Sequence, residues 1–206
     1  PRDAPGQTCR ALTVGGLPDG RLFALLQVPR TPPSGQGVNL DLDAYLLLRA
    51  EGTKLHVDGR FETTGQLSLH DPLHSEGGWI AFRDSDYSRP TQEDVAPVVL
   101  HLWNPATQAR IRVYTPLTEA FDRYVIYSAA VSPSGQTVAI LAGRQGPRAM
   151  NVFVIPIPQA PGYHMISLAD APFPKSVGHS NDIRITRGGR IYTFNASGID
   201  YHGTVK

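Results

Sequence analysis

Four short stretches of the chain repeat one pattern at nearly one interval. They are Asp19-Gly20-Arg21-Leu22-Phe23-Ala24-Leu25, Gly77-Gly78-Trp79-Ile80-Ala81-Phe82, Ser134-Gly135-Gln136-Thr137-Val138-Ala139-Ile140-Leu141 and Gly188-Gly189-Arg190-Ile191-Tyr192-Thr193-Phe194. With Gly20, Gly77, Gly135 and Gly189 as markers, the intervals are 57, 58 and 54 residues. Each stretch is a glycine turn followed by a β-rich run, with a small residue four places on (Ala24, Ala81, Ala139, Thr193). A period of this size is the mark of a repeat architecture.

The rest of the sequence is strand-like, with almost no helical periodicity. Runs rich in Val, Ile, Leu, Tyr and Phe lie at Arg21–Val28, Ala44–Leu48, Lys54–Val57, Trp79–Phe82, Val98–Trp103, Ile111–Tyr114, Tyr124–Tyr127, Thr137–Leu141, Asn151–Ile155, Ile183–Thr186 and Arg190–Phe194. Turn residues bound them, as the 20 Gly and 18 Pro allow. Short strands at a period of one four-stranded blade predict an all-β fold, a β-propeller-like array of about four blade units. The units are expected near 10–66, 67–122, 123–178 and 179–206, within one domain. Each reads as turn, strand, long polar loop, strand, turn, strand, and in the third unit the last strand is expected at His164–Leu168. Only 17 residues follow Gly189, so the last unit is expected to be reduced, or the array to belong to a larger ring.

Composition narrows the function classes. The net charge is +1, which gives no electrostatic case for nucleic acid. No run approaches 18 apolar residues, so no transmembrane helix is expected. The single cysteine, Cys9, cannot form an internal disulfide. The polar, Pro/Gly-rich start from Pro1 fits a mature exported N-terminus, and an extracytoplasmic location, periplasmic or secreted, is expected.

Candidate catalytic groups lack the company that chemistry needs. Gly178-His179-Ser180 begins like a nucleophile elbow but lacks the final glycine and precedes a strand. His70 and His74 are four apart, but Pro72 denies them a helix and no further ligand lies nearby. They are expected in a loop. Asp84, Asp86, Glu93 and Asp94 are interleaved with Arg83 and Arg89, as on a self-compensating surface. Asn195-Ala196-Ser197 is a glycosylation sequon.

Long loops are the better place to look for function. Pro29–Asn39 and Arg83–Pro97 follow equivalent strands, and Gly143–Ala149 sits at the same place in the third unit. If the units stack radially, all three loops emerge on one face. Arg30, Pro33, Gln36, Arg83, Asp84, Asp86, Tyr87, Arg89, Arg144 and Arg148 are the candidate contacts for a protein partner. Tyr87 is an aromatic in a polar loop, fit to be an anchor.

Ala130-Val131-Ser132-Pro133-Ser134-Gly135-Gln136-Thr137-Val138-Ala139-Ile140-Leu141 resembles the Ser-Pro-Asp-Gly-Lys-x-Ile-Ala-Phe repeat of TolB-type, WD40-like β-propellers. That resemblance implies a propeller fold; the repeat, the long loops on one face and the missing catalytic set lead to the expectation of a non-enzymatic binding scaffold or an accessory subunit of a larger assembly, with no cofactor. The segment from Asn181-Asp182-Ile183 resembles the Asn-Asp strand of gluconolactonase and paraoxonase propellers. This implies calcium at Asn181 and Asp182, and as an alternative function a calcium-dependent lactonase or esterase. A carbohydrate-binding propeller is a third reading.

Overall fold

The computed structural model describes residues 10–16, 22–30, 42–62, 73–85, 98–116, 118, 124–144, 150–171 and 175–205. They form an all-β, propeller-like array of four sheets. The first sheet is an antiparallel meander of β1 (Arg10–Gly16), β2 (Leu22–Arg30), β3 (Leu42–Glu51) and β4 (Lys54–Glu62). The second holds β5 (Leu73–Glu76), β6 (Trp79–Ser85), β7 (Val98–Asn104) and β8 (Ala109–Tyr114). In the third are β9 (Tyr124–Val131), β10 (Thr137–Arg144), β11 (Met150–Pro156) and β13 (Lys175–Val177). Three strands make the fourth: β14 (Asp182–Ile185), β15 (Arg190–Asn195) and β16 (Gly198–Thr204). A single 3₁₀ turn, Leu168–Asp170, follows β12 (Gly162–Ser167) and is capped by the Ser167 hydroxyl, which accepts from Ala169 N at 3.2 Å.

The second, third and fourth sheets stack face to face, with the first strand of one beside the first strand of the next. β9 lies against β5 on one side and β14 on the other. Between the second and third sheets Trp79, Leu100, Leu102, Ile111 and Val113 meet Ile126, Val138, Ile140, Phe153 and Ile155, all buried. Between the third and fourth, Ala139, Leu141, Met150 and Val152 meet Ile183, Ile185 and Ile191. Each large apolar side chain buried there is worth about 1.5–3 kcal/mol. β10 is therefore covered on both faces, which is why it reads as an unbroken apolar run instead of alternating. β8, covered on one face, alternates buried and half-buried residues.

The Gly77, Gly135 and Gly189 turns join first strand to second, and the Gly20 turn lies outside the described residues. Gly77 and Gly78 both have positive φ, 59° and 81°, as a two-residue hairpin turn requires. The Gly135 and Gly189 turns share a different device. The Ser132 hydroxyl accepts from Thr137 N at 3.1 Å, and the Thr186 hydroxyl from Arg190 N at 3.2 Å. The Gly189 turn is one residue shorter after its glycine than the Gly135 turn, and this corrects the equivalence of the small residues. Ala81 and Ala139 face the next sheet, but Thr193 pairs with Ile183 on the face turned to the preceding sheet. A one-residue offset reverses the face of every side chain that follows.

A second correction concerns the strand at 162–167. It does not complete the third sheet. β12 pairs in parallel with β8, from Gly162 beside Ala109 to Ser167 beside Tyr114, and so becomes the fifth strand of the second sheet. Pro156 ends β11, and Pro158 and Pro161 lie between it and β12. Proline offers no N–H for a ladder, so the chain does not zip back along β11 and crosses to the neighbouring edge. The short β13 closes the third sheet instead, Met150 beside Val177. His74 is also placed differently from its expected loop, within β5.

Candidate functional site

Strands that alternate in direction put the second-to-third connections at the end opposite the glycine turns. That end is marked by the pairs Arg30 with Leu42, Ser85 with Val98 and Gly143 with Met150. The first strands β9 and β14 also begin there. The candidate site is this end, built from strand termini.

Four of the candidate contact residues are strand residues and not loop residues. Arg30 closes β2, Arg83 and Asp84 lie within β6, and Arg144 closes β10. β6 runs three residues past its apolar stretch because its ladder with β7 continues through Arg83–Leu100, Asp84–Val99 and Ser85–Val98. Pro33, Gln36, Asp86, Tyr87, Arg89 and Arg148 lie outside the described residues.

Arg83 bridges two sheets. Its Nη1 donates to the carbonyl of Tyr127 on β9. The Tyr127 hydroxyl in turn donates to the Arg144 carbonyl at 3.3 Å. Beside it, Asn151 Nδ2 donates to the Tyr124 hydroxyl at 2.7 Å. Side chains thus tie the end of β10 to β9 and the start of β9 to β11, and Arg144 itself is exposed. A guanidinium with a backbone anchor and an exposed neighbour is suited to holding a rigid polar surface.

Nearer the first strands stands Asp182. Its carboxylate accepts from the Ser128 hydroxyl at 2.7 Å, from its neighbour Ile183 N at 2.8 Å and from Arg184 Nη1 at 2.8 Å. Arg184 Nη2 approaches the other oxygen at 2.6 Å, making a two-point ion pair. Asn181 is exposed, and its backbone N–H donates to Phe194 O at 2.8 Å. Among the described residues no three His, Cys, Asp or Glu side chains gather closely enough to hold a metal ion. Through the Ser128 hydroxyl, Asp182 ties β14 to β9, two first strands. Ser128 and Tyr124 escape sequence reasoning because their partners are 54 and 27 residues away.

The remaining polar cluster is on the fourth sheet. The buried Thr193 hydroxyl and His202 Nε2 are 2.6 Å apart. Burial holds the His202 imidazole below its usual pKa, the Lys175 charge lowers it further, and Asp200 opposes both.

No family model matches the chain, and no curated protein matches it. Solved structures do. Over 93% of this chain, the fold is similar to a chain of Kuenenia stuttgartiensis hydrazine synthase, at 15% identity and a TM-score of 0.54. The Dos1 propeller matches over 90% of this chain at 10% identity and a TM-score of 0.40. The chain spans 58% and 56% of the lengths of those two chains. At such identity the likeness to the hydrazine synthase chain is one of fold: the sheets are an all-β, propeller-like scaffold.

Proposed function

We propose that the protein is a non-enzymatic scaffold that holds a protein partner, or sits within a larger assembly, through the end bearing the second-to-third connections. The observation that carries this reading is the common end of β6 and β10, where Arg83 and Arg144 stand at or near the points where 86–97 and 145–149 leave the sheets, with Arg30 at the corresponding end of β2 within the first sheet. Rigid strand ends that display variable connections are a recurrent way to build a binding surface. The Arg83–Tyr127 and Asn151–Tyr124 bonds support it by stiffening the platform. Extracytoplasmic action belongs to the same proposal.

The test is capture from the native source, with bound proteins compared between the wild-type chain and a variant in which 86–94 is replaced by a short Gly/Ser linker. The expected result is loss of a discrete set of proteins at unchanged thermal stability. Equal capture by both chains would overturn the loop assignment.

A further inference from the structure

The fourth sheet turns from its second strand to its third in two residues. Asn195 pairs with Gly198, and Ala196 and Ser197 bridge β15 and β16. This hairpin stands at the same end as the candidate site, because the Phe194 carbonyl accepts from the N–H of Asn181, just before β14 begins. It also holds the glycosylation sequon. Asn39, Asn104, Asn151 and Asn181 have no Ser or Thr two places on, whereas Asn195 has Ser197 there.

The sequon lies in the open. Ala196, Ser197 and Gly198 are exposed, and Asn195 is half-buried. Asn195 Oδ1 accepts from the Ser197 N–H and from the Ser197 hydroxyl, each at 2.8 Å. These bonds close an Asx turn and fix which way the amide faces. At its other corner Nδ2 donates to Asp200 Oδ2 at 2.8 Å. An Asn amide has two N–H groups, and Asp200 uses one. A glycosylated amide keeps one N–H, so the bond to Asp200 and an oligosaccharide can share the nitrogen.

We propose that Asn195 is the acceptor of an N-linked oligosaccharide, an inference that rests on the extracytoplasmic action proposed above. The donor class is an oligosaccharide joined to a lipid through a pyrophosphate. Nδ2 attacks the anomeric carbon of the first sugar, and the C–N bond forms as the C–O bond to the pyrophosphate breaks. The lipid pyrophosphate leaves with the electron pair, one amide proton is released, and nothing is oxidised or reduced. The product is bulky and hydrated, and an exposed two-residue turn gives it room. It stands on the end that carries Arg83 and Arg144, at the fourth sheet, whose own second-to-third connection is too short to form a long loop.

In the test, an added cleavable signal peptide directs the full chain into the secretory pathway of a eukaryotic cell, which fixes the compartment. The secreted wild-type chain is expected to exceed 22.4 kDa by one oligosaccharide. Peptide-N-glycosidase should return it to the bare mass and leave an aspartate in place of Asn195, read by peptide mass spectrometry. Asn195→Gln and Ser197→Ala should each abolish the excess, and Ser197→Thr should keep it. The turn is exposed, so all three variants should keep the wild-type circular dichroism. The chain isolated from its native source is expected to carry the same glycosidase-sensitive excess. A secreted wild-type chain at the bare mass, an excess that persists in Asn195→Gln, or a native extracytoplasmic chain at the bare mass overturns the proposal. A native chain found in the cytoplasm overturns the location reading instead, and the secreted chain still decides whether Asn195 accepts.

Discussion

Gly77 and Gly135, from successive glycine turns, are in backbone contact. A Cβ placed on Gly77 would lie 2.4 Å from the Gly135 Cα and 2.6 Å from the Ser132 carbonyl oxygen, and one on Gly135 would lie 2.4 Å from the Gly77 carbonyl oxygen. The recurrence of glycine thus has two causes. The turns need positive φ, and neighbouring turns nest so closely that no side chain fits between them.

Gly77→Ala is expected to cost more than backbone strain alone. The φ of 59° contributes roughly 1 kcal/mol, and the clash is with backbone that cannot rotate away, so a total of about 3 kcal/mol or more is expected. For a chain of this size that lowers the melting temperature by on the order of 10 °C. Gly52 isolates the strain: its φ is 60°, with nothing within 4 Å of an added Cβ. Gly52→Ala should cost only about 1 kcal/mol. Denaturant titration of both variants checks the difference, and equal losses would show that nesting contributes nothing.

Much of this was legible in the sequence, and the limits have physical reasons. The glycine turns announce themselves because positive φ has a residue signature. Their mutual contact does not, because it depends on how sheets stack. Ala81 and Ala139 are equivalent as the spacing says, while Thr193 is not, since one missing turn residue changes its face without breaking the pattern. β5, with only Leu73-His74-Ser75-Glu76, and β16, with two glycines, are too polar or too broken to read as strands, and tertiary pairing supplies what propensity lacks. The crossing of β12 was invisible because a parallel partner 53 residues away leaves no local trace. At the candidate site, residue types were legible and positions were not: Arg83 looked like the start of a loop because charge followed Phe82, yet the ladder continues to Ser85.

Trp79 is expected to act as the lock beside the nested turns. It is fully buried, and its indole N–H donates to the Gly135 carbonyl at 2.9 Å. That carbonyl also accepts from Gln159 Nε2 at 3.0 Å. In Trp79→Phe the oxygen keeps one donor, so the loss is packing plus one bond, about 2 kcal/mol. Gln159→Ala alone should cost about 1 kcal/mol or less. The double variant leaves the carbonyl with neither donor and should exceed the sum of the single losses when measured by urea unfolding.

Asp182 should behave as a structural tie between β9 and β14. Ser128→Ala removes its hydroxyl donor but leaves the Arg184 pair intact, and is expected to cost about 1 kcal/mol. In an Asp182→Asn background the same serine change should cost less, because the charge that strengthens the bond has gone. A thermal-shift titration with calcium belongs in the same experiment. Stabilisation at millimolar calcium that vanishes in Asp182→Asn would assign the carboxylate to a metal instead.

The pH dependence should carry the mark of His202. Its pKa is lowered in the folded chain, first by burial and then by Lys175, with Asp200 opposing. The unfolded chain, whose imidazole titrates near 6.5, therefore takes up a proton before the folded one does. Stability is complete above that pH, falls as the pH drops below it, and levels off once the folded imidazole is protonated too. Protonation also forces a choice on the 2.6 Å contact with Thr193, since an imidazolium can only donate and the hydroxyl must then accept. In dilute protein, urea midpoints between pH 5 and pH 7.5 should rise with pH for the wild-type chain. The slope should shrink in Lys175→Met, where one cause of the shift is removed, and more in His202→Asn. A wild-type slope unchanged in His202→Asn would place the titration elsewhere.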